Sequence, residues 1–344
     1  MPSPPLPQQP CSDHDAQRNA LSVIRPDIGE PTLSSVLAKD VDSARRYAAA
    51  WKADSTRRAY ESDWAIFLAW CDGRSIEPIP AAPAAVALFL ASEADAGIRP
   101  STIGRRLAAI GYIHRTKGYD PPQNVAGSQA IRDVLAGIRR THGVRKMRKR
   151  AVGADMLRKM LASIEGNEPR AVRDRALLAV GMAGAFRRSE LVAIQLNEIF
   201  MVPEGIRILI AKSKTDQEGV GAEIAIPEGS RIKPKALLID WVRLAKFQDG
   251  PVFRKLTPQG RITAKPMSDR SVAIVVKIRA QAAGFDPEEV SGHSLRAGFL
   301  TEAAQNGASI FKMRDQSRHK SLEVLSDYVR SNDIFDKHAG SEFL

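Results

Sequence analysis

A basic interval divides the chain. Between Asp133 and Asp155 there is no acidic residue, yet Arg139, Arg140, Arg145, Lys146, Arg148, Lys149 and Arg150 all fall there. Charges of one sign this close together repel one another and cannot share an apolar core. The interval therefore reads as a solvated linker between two bodies, and its cations suit it to track phosphates. We expect a helical N-terminal domain at residues 37–141, a basic linker at 142–150, and a second domain at 151–344 ending in a docking tail. Residues 1–36, rich in Pro, Gln, Ser and Asp, read as a disordered arm. At 344 residues the chain can form two cores without staples.

Both blocks are patterned mainly for helices. In the first, Tyr60, Trp64, Phe67, Leu68 and Cys71 recur at steps of three and four, with Ser55 as an N-cap and Gly73 as a stop. A Pro-punctuated loop, Pro78 to Pro83, leads into a helix at Ala84 to Ala94. Arg99-Pro100-Ser101-Thr102 starts another, with Ile103, Leu107, Ile110 and Ile113 as its apolar stripe. Arg105 points away from that stripe and Arg106 flanks it. A last helix runs from Ser128 to Arg140. The second block opens on an apolar helix, Arg173 to Ala185. Two strand-like runs, Ile206 to Ala211 and Glu223 to Ile226, follow as a hairpin. Helices return at Lys235 to Lys246, Ser268 to Ala283, Ser294 to Asn306, Ser309 to Arg314 and Leu322 to Arg330. The expected fold class is mainly α with a small antiparallel β-sheet, in two domains.

The net charge of +12 points to a polyanionic partner. Cys11 and Cys71 make neither a disulfide framework nor a metal cluster, and Cys71 falls on an apolar helical face as a buried thiol. That usage fits a reducing, cytoplasmic setting. The N-terminus has no signal-peptide pattern, and the longest apolar run, Ala84 to Ala91, is too short to cross a bilayer. No Walker-type loop and no acidic set for two-metal chemistry is present, so no metal or cofactor is expected.

The chemistry concentrates between His293 and Arg330. His293 and Arg296, three apart on a helix, share a face and can approach one anion. His319 follows, and nine residues later comes Tyr328, a candidate nucleophile. Each residue alone is weak ground, since a lone His or Tyr is usually structural. The ordered set carries the weight: Arg187 with Glu190, Lys214 in a hairpin, His293 with Arg296, His319 and Tyr328.

That set resembles the tyrosine recombinases, or phage-integrase family, and its simple Cre-like members most of all. FRRSEL resembles the first arginine box and AKSKT the lysine hairpin. SGHSLR resembles the HxxR box, and RHKSLEVLSDYVR the terminal box with its nucleophilic Tyr. His319 stands where Cre has Trp and most of the wider family has His. The resemblance implies a SAM-like core-binding domain and a catalytic domain forming a clamp around DNA. The implied partners are double-stranded DNA with inverted-repeat sites and, on DNA, three further copies of this chain, with a free monomer and no membrane. Arg187 and Arg296 would clamp the phosphate and His319 would add a donor. Lys214 would be the general acid, His293 could take the Tyr328 proton, and Glu190 would hold Arg187. Arg270 matches a position that reads a guanine. Ser101, Thr102, Arg105 and Arg106 match the DNA-facing helix of the other domain, and Lys146 and Arg148 lie in the phosphate-tracking linker. Two alternatives share these features: a type IB topoisomerase-like enzyme, and a non-catalytic DNA-binding protein of the same fold.

Overall fold

The computed structural model describes residues 35–143, 149–210 and 221–332. The expected arm with Cys11, much of the linker including Lys146 and Arg148, Lys214 and the C-terminal tail lie outside the described residues. The chain divides into two compact units, Met1–Lys146 and Met147–Leu344.

The first unit is helical: α1 Ser35–Ala50, α2 Asp54–Asp72, α3 Pro83–Asp95, α4 Pro100–Thr116 and α5 Gln129–His142. Phe67, Val86, Phe89, Leu90, Ile103, Ile110 and Ile131 close its core, and Cys71 is buried as expected. Helix α2 starts one residue before the expected Ser55 cap, with Ala53 as N-cap and Asp54 in the first turn, where a carboxylate favours the helix dipole. Gly73 does end α2, though in right-handed geometry (φ −62), so its freedom to adopt positive φ is not what stops the helix.

His114 ties this core together. Its Nδ1–H donates to the Ile110 carbonyl at 2.8 Å, and Nε2 accepts from the Ala81 N–H at 2.9 Å. Only the neutral ring satisfies both bonds. Burial pushes the imidazole's pKa down, against the Ile110 bond and with help from Lys117. An unfolded His takes its proton near pH ~6.5, and the folded one refuses it until lower pH. Stability should therefore fall as pH drops from about 6.5 towards the folded pKa. Urea unfolding at pH 7.5 and 5.5 checks this, and His114→Gln should flatten the difference.

The second unit contains α6 Ala154–Ala162, α7 Pro169–Ala183, α8 Arg188–Ala193, β1 Ile199–Val202, β2 Gly205–Ile210, β3 Ala222–Pro227 and α9 Pro234–Ala245. It continues with β4 Arg254–Leu256, β5 Ile262–Pro266, α10 Asp269–Ala282, α11 Ser294–Gln305, α12 Ile310–Ser317 and α13 Leu322–Asn332. Strands β1-β2-β3 form an antiparallel sheet, with Ile206 opposite Ile226 and Ile208 opposite Ile224. The expected hairpin is thus two strands of three. A separate two-stranded sheet, β4-β5, and helix α6 come from stretches without an assigned element. Strand β4 is three residues, Arg-Lys-Leu, too short and too charged to show a strand period. Helix α7 is buried along nearly its whole length among α6, α9 and α11. Trp241 of α9 is fully buried and donates Nε1–H to the Val252 carbonyl at 2.8 Å. Among the described residues, no helix is long and apolar enough to cross a membrane.

Helix α11 is pressed against the segment preceding α6. Val152 N–H donates to the Ser294 carbonyl at 2.9 Å, and a Cβ on Gly298 would meet the Val152 carbonyl oxygen at 1.8 Å. The Val152 oxygen is backbone and the Cβ would be fixed in place by its own backbone, so neither side can yield cheaply. Gly298→Ala should destabilise the chain by about 1–3 kcal/mol, read as a lower urea midpoint.

Candidate active site

Arg187 caps α8. Glu190, the third helical residue, reaches back and accepts from the Arg187 backbone N–H at 2.9 Å. The same carboxylate accepts from Arg187 Nη1 at 2.5 Å and from Arg318 Nη2 at 2.8 Å. It is only 4% exposed. Burial alone would raise its pKa, but the Arg318 charge and the bonds from Arg187 and Arg318 outweigh burial and lower it. Glu190 therefore sits ionised beneath two guanidinium groups.

Arg318 is the residue that sequence reasoning missed. It ends α12 in the left-handed region (φ +56), a conformation that favours glycine. Its carbonyl accepts from Arg187 Nη2 at 3.0 Å, and its guanidinium lies 5.1 Å from the Phe186 ring centroid. Arg187 and Arg318 thus hold each other through Glu190 and through backbone. Nothing in the spacing distinguishes Arg318 from Arg314 or Lys320 nearby.

Arg296 lies in the first turn of α11 and is only 5% exposed. Nη1 donates to the Ala185 carbonyl at 2.6 Å, and Nη2 lies 3.3 Å from each ring nitrogen of His319. Burial and then the like charge of Arg187 push its pKa down to about 9, while Glu190 and Tyr328 pull the other way. Tyr328, half-buried on α13, is thus an electrostatic neighbour of Arg296. It packs against Leu300, Met313 and Leu325.

His319 follows α12, with Nδ1 2.7 Å from Ser317 Oγ. Its pKa is pushed down to about 4, first by burial and then by the charges of Arg296, Arg187 and Arg318, against Glu190. The ring is neutral at physiological pH. His293 is the N-cap of α11 and is exposed. The His293–Arg296 pair therefore spans from surface to interior: Arg296 is buried with its partners, and His293 lies towards solvent.

Arg187, Glu190, Arg296, His319 and Tyr328 meet in one unit. The general-acid candidate Lys214 lies outside the described residues, and Arg270 is exposed in the first turn of α10. In the other unit, Ser101 is exposed and Thr102 half-buried. Arg105 forks onto Asp63, with Nε at 2.7 Å from Oδ2 and Nη2 at 3.0 Å from Oδ1, and its side chain stays 50% exposed. Arg106 pairs with Glu93 and lies 3.8 Å from Asp63. These carboxylates fix where both arginines start from. Among the described residues, no group of three or more His, Cys, Asp or Glu is placed to hold a metal ion.

An arginine-lined floor, a neutral imidazole and a tyrosine carried on one helical unit define a class of site built to handle a phosphate-like anion. The chain belongs to the phage integrase family, the tyrosine-type site-specific DNA recombinases, whose family model matches residues 150–334. It is 35% identical over 298 residues to an integrase/recombinase XerD homolog of Selenomonas ruminantium, covering 86% of this chain and 87% of that one. It is 26% identical over 281 residues to tyrosine recombinase XerD of Bifidobacterium longum, covering 80% and 87%. Solved structures share the fold, among them two with DNA or a recombination substrate bound. The Tn1549 transposon integrase in complex with transposon right end DNA aligns with TM-score 0.58 at 14% identity, over 88% of this chain and 98% of that chain. XerH bound to its palindromic difH substrate aligns with TM-score 0.55 at 16% identity, over 76% and 72%.

Proposed function

We propose that this recombinase cleaves and rejoins DNA strands through a covalent 3′-phosphotyrosyl link to Tyr328, without metal or ATP. We further propose that it acts as a homotetramer on two duplex sites bearing inverted repeats, and is a monomer when free. The observation that carries the reading is the convergence of Arg187, Arg296, His319 and Tyr328 in one unit. Arginine forks match the planar spread of charge over phosphoryl oxygens, and donors held in place before reaction often supply the largest catalytic term. The Tyr328 oxygen attacks phosphorus and the bond to the 5′-oxygen breaks. An ordinary phenol ionises only near pH ~10, so the proton leaves to a base, and the exposed His293 is the candidate. Lys214 gives the leaving 5′-oxygen its proton. The phosphodiester energy is kept in the new P–O bond, so rejoining needs no ATP.

Duplex DNA as partner is supported by the net charge of +12 and by a structure of the same fold, the Tn1549 integrase, solved in complex with transposon right end DNA. Arg270, Ser101, Thr102, Arg105 and Arg106 are the proposed contacts to bases and backbone, with Lys146 and Arg148 on phosphates.

Covalent trapping tests this. The protein is incubated with DNA from its own genetic neighbourhood in excess EDTA without ATP, quenched with SDS and digested, and nucleotide-linked peptides are mapped by mass spectrometry. The expected adduct is on Tyr328, survives EDTA and vanishes in Tyr328→Phe. An adduct elsewhere, or an EDTA-sensitive cut, would overturn the mechanism. Plasmid relaxation without recombinants would point to topoisomerase-like action instead.

A further inference from the structure

Ser317, the last residue of α12, is fully buried. Its Oγ lies 2.6 Å from the Met313 carbonyl and 2.7 Å from His319 Nδ1. A hydroxyl has one proton to give. A carbonyl can only accept, and two oxygens at that separation need a proton between them. The Ser317 proton therefore points at Met313 O, the back-bond to the preceding turn that serines make near helix ends. The Arg314 carbonyl, at 3.5 Å, is a poor competitor. Ser317 Oγ then meets His319 as an acceptor, and Nδ1 must carry the ring proton.

The other partner of the ring is compatible with this form but does not by itself select it. Arg296 Nη2 is equidistant from both ring nitrogens, at 3.3 Å. A guanidinium only donates, so it can bond only to a nitrogen that holds a lone pair. With Nδ1 protonated, that nitrogen is Nε2.

From these contacts we infer that Ser317 is a positioning residue for strand cleavage: it locks His319 in the Nδ1–H tautomer and makes Nε2 the nitrogen that meets the scissile phosphodiester. The role in cleavage rests on the proposed phosphotyrosyl chemistry; the lock does not. In the free protein Nε2 then holds the lone pair, with Arg296 Nη2 3.3 Å away. A phosphoryl oxygen also brings only lone pairs, so Nε2 can bind it only after taking up a proton. The groups around the ring make that uptake depend on DNA. Among the described residues, Arg187 and Glu190 at the start of α8, Arg296 on α11, Arg318 at the end of α12 and Tyr328 on α13 are the charged and titratable groups that act on His319 or on its neighbour Arg296. Burial first, and then three of these groups as cations, keep the ring neutral. A bound phosphodiester offsets those cations, and Arg296, turning to it, moves away from the Nε2 lone pair. A proton from solvent then completes an imidazolium that donates from Nε2 to the phosphate and from Nδ1 to Ser317.

The test uses the full chain labelled with 15N-histidine. Two-bond 1H–15N spectra report the tautomer of each ring, and His319→Gln assigns the His319 signal. At pH 7 and free of DNA, His319 is expected as neutral Nδ1–H. A wild-type ring that is Nε2–H, or doubly protonated, overturns the lock whether or not any variant folds. Ser317→Thr, which keeps the hydroxyl, should keep the form, and Ser317→Ala should shift the ring towards Nε2–H. An unchanged ring in a folded Ser317→Ala protein means that Arg296 alone sets the tautomer, and the role of Ser317 fails.

On a plasmid carrying the site recovered by adduct mapping, Ser317→Ala should slow Tyr328 adduct formation at saturating DNA. The expected drop is on the order of 10–100-fold, the scale of cost when a reacting group is misplaced by up to about 1 Å. DNA affinity should hold, and the pH dependence of the rate should change. Ser317→Thr should recover the rate. A loss of affinity without a loss of rate overturns the role in cleavage. An adduct with an Nε2–H ring removes the lock alone, whereas an Nδ1–H ring with no adduct removes the phosphotyrosyl reading alone.

Discussion

Arg296→Met is expected to make the free protein more stable while nearly abolishing strand cleavage. The Arg296 guanidinium is buried beside two other cations, Arg187 and Arg318, and its pKa is driven down to about 9 by burial first and by Arg187 next. At neutral pH the group stays charged, so that shift measures what its charge costs the fold. Methionine fills similar volume without the charge. Replacing whole buried ion pairs by apolar groups is often neutral or stabilising by about 1–4 kcal/mol. Glu190 is held by Arg187 and Arg318, and no carboxylate among the described residues is paired with Arg296, so losing this cation breaks no such pair. The Ala185 carbonyl keeps a donor, Arg318 Nη2 at 3.2 Å. Cleavage, by contrast, loses a preorganised donor to the phosphoryl oxygens, which costs on the order of 100-fold to 1000-fold in rate. Urea midpoints and the adduct assay on the same preparations check both halves. A variant that is clearly less stable would show that the guanidinium is a net support of the fold and that charge crowding does not dominate there.

Glu190→Gln should act in the opposite direction. Glu190 is the anion shared by Arg187 and Arg318, and nearly all of it is out of water. An amide keeps the shape and one acceptor but leaves the guanidinium groups without a counter-charge. Removing one partner of a buried ionic group typically costs about 3–5 kcal/mol. The wild-type pH dependence should carry the same signature. The folded carboxyl titrates below its ordinary range, because Arg318 and Arg187 outweigh the opposing effect of burial. Its contribution is therefore complete above the unfolded carboxyl pKa of about 4.3. It is lost as pH falls through the lower folded value. Urea unfolding between pH 6 and 3 should show this loss in the wild type and less of it in Glu190→Gln. Equal pH slopes in both proteins would remove Glu190 from the account. Cleavage should also fall in Glu190→Gln, since Arg187 loses the carboxylate that aims it.

Much of the architecture could be read from local pattern. The expected helices at Ala84 to Ala94, Lys235 to Lys246 and Ser294 to Asn306 differ by a residue or so at each end from α3, α9 and α11. Amphipathic periods and Pro or Gly punctuation are properties of neighbouring residues, and they survive in isolation. Strands β1, β4 and β5 were not legible. They are three to five residues long and are defined by a partner strand rather than by their own period. Arg105 shows the same limit at the level of a side chain. The sequence placed it on the polar face of its helix, but the buried Asp63 that grips it is 42 residues away.

By itself the sequence determined the mainly helical class and the order of Arg187, Glu190, His293, Arg296, His319 and Tyr328. These follow from residue identity and short-range spacing. Only the tertiary structure decided which of those charges are buried and against what. Arg296 meets Ala185 across 111 residues, and Arg187 meets Arg318 across 131. Desolvation and like-charge crowding act through space, not along the chain. For that reason the third arginine, the neutral His319 and the serine behind it came into view only once α7, α8, α11 and α12 had packed.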